Sequence, residues 1–332
     1  MEKPAKYKSI VEKFLDFIET HDHFMLSGHI NADGDAIAAV IAMHLFLKKL
    51  NKTSYMIFTD RKLDQRFDYL ASFKEIESFH DLNPESVNIQ AAIILDVPGY
   101  LRLGAASALL PDRAHVARID HHPQEDSMGE LEWVDEIASS TTAMVYEIIE
   151  ASGVEIDLEL AKAIYTGIVY DTGRFSFSNT TARDLFICSR MVSIGVNPSE
   201  INNIIFFENS LQALHMIGKG LYTMETYLEG KVSVIYLNYE DMKHTNPPEI
   251  EELTNYSVAV RGGKIGLFVR EIKPNYHKIS LRSKCGIDVN KVAKAFDGGG
   301  HARAAGCRIA GGKDEVIQKL VDEIARHLQD GN

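Results

Sequence analysis

Within seven residues, His29, Asp33 and Asp35 place one imidazole and two carboxylates on the segment Gly28-His29-Ile30-Asn31-Ala32-Asp33-Gly34-Asp35-Ala36. The segment lies between a short apolar run, Phe24 to Leu26, and a long one, Ile37 to Leu50, which predicts a turn leading from a strand into a helix. On such a turn the three side chains can converge on one point, and Gly34 leaves the backbone free to fold tightly between the two acids. That is the chemistry of a metal site. Mixed nitrogen and carboxylate-oxygen donors suit Mn²⁺, Fe²⁺ or Zn²⁺ better than Ca²⁺, whereas Mg²⁺ sites favour oxygen. The competing reading is that Asp33 or Asp35 merely caps the next helix.

Three further positions add to the set. Asp96 ends the apolar run Ala91 to Val97 ahead of a Pro-Gly turn, and His115 to Asp120 ends in Asp120-His121-His122-Pro123. Adjacent histidines point in different directions, so one can face a metal while the other faces a substrate, with Asp120 orienting an imidazole. Asp171 stands at the end of a helical pattern and before Gly173, where the helix dipole disfavours an acid and a nearby cation would favour it. His29, Asp33, Asp35, Asp96, His121 and Asp171 together supply four carboxylates and two imidazoles, a charge that balances two divalent cations. Without cations, clustered acids repel one another. Two metals about 3.5–4 Å apart activate a water for in-line attack on phosphorus.

The elements that must position these residues follow from the pattern of apolar runs. Strand-like runs at Phe24 to Leu26, Thr53 to Asp60, Ala91 to Val97 and His115 to Asp120 alternate with helical patterns at Ile37 to Leu50, Asp64 to Ile76 and Leu101 to Leu110. This alternation predicts an α/β fold with a mainly parallel sheet and helices on both faces, in which ligands bind at the carboxyl ends of strands. Helices are expected over Ala143 to Ser152, Leu158 to Tyr170 and Ala182 to Gly195. They are followed by a helical connector from Asn197-Pro198 to about Gly220, with Pro198 at its start. A smaller C-terminal α/β domain has expected strands Lys231 to Leu237, Ile265 to Ile272 and Lys278 to Arg282, and helices near Asn290 to Phe296 and Glu315 to Leu328. The domains are expected at 1–195, 196–220 (connector) and 221–332.

At 332 residues and 45% hydrophobic, the chain can build two cores. Met1 to Thr20 predicts an amphipathic helix and not a signal peptide. No apolar stretch reaches the ~18 residues of a membrane span, so a cytoplasmic protein is expected. Cys188, Cys285 and Cys307 are isolated and read as reduced structural residues. The net charge of −12 argues against a protein that coats nucleic acid, yet Arg261 to Arg308 holds 11 Lys/Arg against 3 Asp/Glu. A basic region on an acidic chain suggests a site for a small anionic substrate.

Taken together, the motifs resemble the DHH phosphoesterase superfamily. They are His29-x-x-x-Asp33-Gly34-Asp35-Ala36, Asp96, Asp120-His121-His122 and Gly167-x-x-x-Asp171-Thr172-Gly173. Gly298-Gly299-Gly300-His301-Ala302-Arg303-Ala304-Ala305-Gly306 is similar to the signature of the DHH-associated C-terminal domain. Length and domain content look most like the branch of nano-RNases and pAp phosphatases. The resemblance implies that His29, Asp33 and Asp96 hold one metal and that Asp35, Asp96, His121 and Asp171 hold the other, with Asp96 bridging. It implies catalytic roles for Asp96, for His122 facing the substrate phosphate and for Asp120 behind it.

Arg282, Gly299, Gly300, His301 and Arg303 are the expected phosphate-recognising residues, the glycines by exposing backbone N–H groups in a loop. Two Mn²⁺ per chain are expected, with Mg²⁺, Co²⁺ or Fe²⁺ as alternatives. The implied partners are short single-stranded oligonucleotides, pAp or dinucleotides, with no membrane, and the implied assembly is a homodimer. The competing functions are a cyclic di-AMP/pApA phosphodiesterase and a non-catalytic nucleic-acid-binding module, which would have no need of four converging carboxylates. The chain departs from the family pattern at Ala38-Ala39, where Gly-Ser is frequent, and at Asp297, where a further glycine is frequent.

Overall fold

A computed structural model describes residues 7–243, 245, 247–284 and 287–329. Cys285 and the first residues of the expected N-terminal helix lie outside the described residues. The chain divides into two compact units, one ending at Phe207 and the other beginning at Glu208.

The first unit runs α1 (Lys8–Thr20), β1 (Phe24–Ser27), α2 (Gly34–Lys49), β2 (Ser54–Phe58), β3 (Glu77–Ser78), β4 (Ala91–Leu95), α3 (Tyr100–Leu103), β5 (Val116–Asp120), β6 (Leu131–Val134), α4 (Thr141–Ser152), α5 (Leu158–Asp171), α6 (Ala182–Ile194) and α7 (Pro198–Asn202). Its strands form a parallel sheet in the order β3-β2-β1-β4-β5-β6. This is a doubly wound order. From β1 the chain winds outward through β2 in one direction and from β4 through β5 in the other, so the loops after β1 and β4 diverge and leave a crevice between them.

The sheet is buried on both faces, which is why its strands read as unbroken apolar runs. Phe24, Leu26, Ile93, Leu95 and Ile119 pack on one side with α1, α2, α4, α5 and α6. Met25, Ile57, Ala92 and Ile94 pack on the other with Leu103, Ala106 and Met128. The helical cover is therefore unequal, with long helices on one face and short turns on the other. Helix α2 is enclosed, every residue from Gly34 to His44 being buried, so it shows apolar residues all round in place of a stripe. Helix α1 buries only Val11, Phe14, Phe17 and Ile18, as an amphipathic helix does.

Two expected helices are corrected. Asp64 to Ile76 contains only the 3₁₀ turns Gln65–Phe67 and Phe73–Glu75, because Asp64 accepts from Arg66 N and Ser72 takes a left-handed conformation that ends any continuous helix. Leu101 to Leu110 is α3 followed by a 3₁₀ run, broken at Gly104, whose φ is +70°. Strand β6 escapes sequence reading because four residues carry too little alternation.

The second unit runs α8 (Leu211–Tyr222), β7 (Glu225–Tyr227), β8 (Val232–Leu237), α9 (Tyr239–Met242), α10 (Leu253–Ser257), β9 (Ile265–Lys273), β10 (Tyr276–Ser283), α11 (Val289–Lys294), β11 (Gly299–His301), β12 (Ala304–Ala310) and α12 (Lys313–Gln329). Its sheet order is β11-β12-β10-β9-β8-β7, antiparallel except for the β8–β9 pair. The stretch read as a connector is shared: α7 and a π-helical turn at Asn203–Phe207 belong to the first unit, and α8 belongs to the second.

Candidate metal centre

The carboxyl ends of β1, β4 and β5 and the facing ends of α2, α4 and α5 bring His29, Asp33, Asp35, Asp96, Asp120, His121, His122 and Asp171 together. His29 follows β1, with Nε2 lying 3.5 Å from Asp96 Oδ2 and 3.7 Å from Asp33 Oδ1. Its Nδ1 lies 3.0 Å from the carbonyl of Ile30 and 3.3 Å from Arg102 Nη2, and its Nε2 faces the acids. Asp33 caps α2, its Oδ1 accepting from the N–H groups of Asp35 and Ala36 at 3.0 and 3.2 Å. The capping and ligand readings of Asp33 are thus compatible in one side chain. Gly34 serves by its size and not by its freedom: it sits in regular helix, and a Cβ there would stand 2.5 Å from the ring of Tyr170.

Asp35 is fully buried and bound by the first turn of α4, with Thr141 N donating to Oδ2 at 2.7 Å and Thr142 N to Oδ1 at 3.1 Å. Two helix N-termini, those of α2 and α4, therefore point their partial positive charge at the same cluster of acids. Gly167 on α5 permits this packing, since a Cβ there would lie 2.8 Å from Asp35 Oδ1.

Asp96 stands at the centre in a left-handed conformation, φ +64°, which a non-glycine residue adopts at a cost of order 1–3 kcal/mol. Its Oδ1 accepts from Thr141 Oγ1 at 2.9 Å and lies 3.4 Å from His121 Nε2. Among the described residues its Oδ2, which is buried, has no hydrogen-bond partner. Asp171, the last residue of α5, places Oδ2 3.1 Å from His121 Nε2. Beside this group, Asp120 Oδ1 accepts from both the backbone N and Nδ1 of His122, at 3.0 and 2.9 Å.

The electrostatics are those of an anionic cluster. Burial and the charges of Asp96 and Asp33 push the Asp35 carboxyl well above the usual carboxylate range. Burial and the charges of Asp35, Asp33 and Asp96 do the same to Asp171. Burial opposes ionisation of Asp96 too, but the imidazoles of His122, His121 and His29 hold its carboxyl well below that range. His122 is raised: burial disfavours its charge, and Asp96 and Asp120 more than compensate.

The donor set fits two divalent cations. One oxygen, one nitrogen and one further oxygen lie within 4.8 Å of one another in each of the trios His29/Asp33/Asp96 and Asp35/Asp96/His121, with Asp96 common to both. Asp96, Asp120 and His122 form another such group. The orphaned Asp96 Oδ2 has the lone pairs a cation would take up.

Sequence reading missed three supporting residues. Thr141 touches both Asp35 and Asp96, although its stretch signals only an N-cap, a job that Ser140 performs by accepting from Ala143 N. Asn179 Nδ2 donates to the carbonyls of Ser139 and Asp171 at 2.9 and 3.0 Å, tying the α4 and α5 ends together. Buried Arg118 donates through Nη1 to Pro98 O at 2.9 Å, holding the turn after Asp96. None of these carries a local pattern.

In the second unit, the expected phosphate loop is corrected to a β-hairpin. Gly299, Gly300 and His301 form β11 and pair with Gly306, Ala305 and Ala304 of β12, with Ala302 and Arg303 in the turn between. Gly300 is glycine for the hairpin's sake: its φ is +140°, and a Cβ would stand 2.5 Å from Ala304 O. Arg282 lies on β10 opposite Ala304, and Arg303 Nη1 donates to Lys284 O at 2.6 Å. Asp297 stands in the turn that follows α11, at φ +55°, a conformation that suits glycine and that an aspartate can adopt. Cys188 and Cys307 are buried, and burial pushes the Cys307 thiol up to about 12, as inert structural cysteines require. Among the described residues no helix is long and apolar enough to cross a membrane.

A doubly wound parallel sheet carrying an acid-and-imidazole centre at its switch point, joined to a mixed-sheet unit, defines a two-domain α/β protein built for divalent metals. Residues 23–168 match the DHH family N-terminal domain and residues 230–330 match the DHHA1 domain; the chain belongs to the DHH family of phosphoesterases. It is 26% identical over 304 residues to the bifunctional oligoribonuclease and PAP phosphatase NrnA of Thermus thermophilus, covering 91% of this chain and 89% of that one. It is 28% identical over 310 residues to the protein of the same name from Bacillus subtilis, covering 92% and 95%. The crystal structure of an exopolyphosphatase-related protein from Bacteroides fragilis shares the fold, with a TM-score of 0.88, 24% identity and 96% of each chain covered.

Proposed function

We propose that this enzyme hydrolyses phosphoesters of short oligoribonucleotides and of pAp with two Mn²⁺ ions. His29, Asp33 and Asp96 would hold one ion, and Asp35, Asp96, His121 and Asp171 the other. The ions, when bound, supply Lewis-acid activation of a water and charge neutralisation at phosphorus. The observation that carries the reading is Asp96 Oδ2, a buried carboxylate oxygen set amid convergent acids and imidazoles and, among the described residues, without a hydrogen-bond partner. The names of the relatives from Thermus thermophilus and Bacillus subtilis supply the substrate class.

The chain's own residues perform the remaining work. Thr141 and the N–H groups opening α4 hold Asp35 and Asp96 in place. Asp120 accepts a hydrogen bond from His122 Nδ1, which fixes the ring's orientation and, with the charge of Asp96, favours the cationic imidazole. A cationic His122 donates a hydrogen bond to the scissile phosphate and a proton to the departing oxygen. Arg282, Gly299, Gly300, His301 and Arg303 of the second unit would bind the nucleotide. A homodimer and a cytoplasmic location complete the proposal, both resting on resemblance.

The test is product analysis with Mn²⁺ on pAp, a dinucleotide, a five-residue oligoribonucleotide and cyclic di-AMP. Turnover of pAp and the short oligomers, abolished in Asp96→Ala, is the expected result. Turnover of cyclic di-AMP alone would replace this reading with the cyclic-dinucleotide one.

A further inference from the structure

Arg102 lies on α3. Among the described residues no carboxylate lies within ion-pair distance of its half-buried guanidinium, although it stands beside His29, whose Nε2 lies 3.5 Å from Asp96 Oδ2. Its position is well determined. Its carbonyl accepts from Ile30 N at 2.7 Å, and Gly104 packs so closely that a Cβ there would stand 2.5 Å from Ile30 Cγ2. The short helix is therefore docked on the loop that carries His29 and Asp33.

The guanidinium has His29 as a side-chain neighbour. Arg102 Nη2 lies 3.3 Å from His29 Nδ1, which also lies 3.0 Å from Ile30 O. With Nε2 given to a metal the ring proton is on Nδ1, and two donors then face each other. The arrangement with His29 Nε2 turned to the acids, the one a metal ligand needs, leaves the guanidinium without a lone pair to bond. A donor fork placed beside the acid cluster and lacking an acceptor is completed by an anion that arrives with the substrate, and a planar guanidinium matches the oxygens of a phosphoryl group two at a time.

We infer that Arg102 binds non-ester oxygens of the phosphoryl group that is hydrolysed. This rests on the proposed phosphoester substrate and adds a substrate-binding residue from the same unit as the acids. The role assigned to Arg102 is direct contact with phosphate, distinct from merely steadying His29.

The test uses the full-length Mn²⁺-loaded enzyme with Arg102→Met and Arg102→Lys. Inorganic phosphate and orthovanadate are titrated calorimetrically, bound manganese is counted by mass spectrometry, and thermal midpoints report folding. Loss of charge-assisted hydrogen bonds predicts about 10- to 100-fold weaker phosphate and vanadate binding in Arg102→Met. Manganese content should equal that of the wild type, and Arg102→Lys, which keeps charge and fold but not the fork, should fall between the two. Unchanged phosphate affinity in both variants would overturn the inference, and so would a loss of manganese in step with phosphate affinity. If the wild type cleaves neither pAp nor oligonucleotides, the substrate reading falls, while the phosphate titrations still decide the role of Arg102.

Discussion

The hydroxyl of Thr141 donates to Asp96 Oδ1 at 2.9 Å, and the same residue's N–H donates to Asp35 Oδ2 at 2.7 Å. One threonine thus orients two of the proposed ligands. Thr141→Val keeps the shape and the N–H but removes the bond to Asp96. Loss of such a supporting bond costs about 10- to 100-fold in metal affinity. Titration of the metal-free protein with Mn²⁺, followed by electron paramagnetic resonance, should show that weakening with an unchanged thermal midpoint in the absence of metal.

Asp120→Asn tests the partner of His122. The amide cannot stabilise an imidazolium as the carboxylate does, so His122 loses one of the two carboxylates that, with Asp96, favour its charged form. A fall in kcat for pAp of about 10²- to 10³-fold is expected, of the size general acid catalysis contributes, with little change in KM. A change confined to KM would mean that Asp120 serves binding and not proton transfer.

Gly167→Ala should damage the centre from behind. The added methyl would stand 2.8 Å from Asp35 Oδ1 and crowd Thr142, with neither neighbour able to yield without moving α4. Overpacking of this kind costs about 1–3 kcal/mol, readable as a drop in the denaturation midpoint. Mn²⁺ affinity should fall with it.

The second unit offers a pH test away from the metal residues. Glu251 Oε2 accepts from Arg270 Nη1 at 2.7 Å, and Arg270 is almost wholly buried. Burial works against ionisation of Glu251, but the charges of Arg270 and Lys278 hold its carboxyl below the ordinary 4.5. A depressed acid stabilises the fold above its unfolded value and loses that contribution as the pH falls through the folded one. Glu251→Gln should therefore cost about 1–3 kcal/mol at pH 7, a figure discounted for the exposure of the glutamate itself. The gap between variant and wild type should close as the pH is taken down through and below 4.5. A gap independent of pH would show that packing, not the ion pair, is what the substitution removes.

The residues that the structure gathers into the candidate centre were legible along the sequence. His29, Asp33, Asp96, Asp120, His121 and His122 follow apolar runs, and strands buried on both faces announce themselves by such runs, so the ends of β1, β4 and β5 could be located along the chain. Asp171 was legible for a similar local reason, an acid at the wrong end of a helix dipole. The mixed sheet of the second unit was only partly visible, because β7, β11 and β12 are short or glycine-rich and their pairing depends on partners elsewhere in the sequence.

What the sequence by itself determined is a chemical inventory and its order: two imidazoles and four acids at strand and helix ends, and a glycine-rich signature downstream. Tertiary structure alone decided which of them meet and who supports them. Thr141 reaches Asp96 across 45 residues, Asn179 joins the ends of α4 and α5, and Arg102 arrives beside His29 from 73 residues away. It also decided that Asp96 adopts a left-handed backbone and that Gly299–His301 is a strand. The division has a physical reason. Side-chain chemistry and local periodicity belong to the residue and its neighbours, whereas contact between distant segments is set by how helices and strands pack into a shared core.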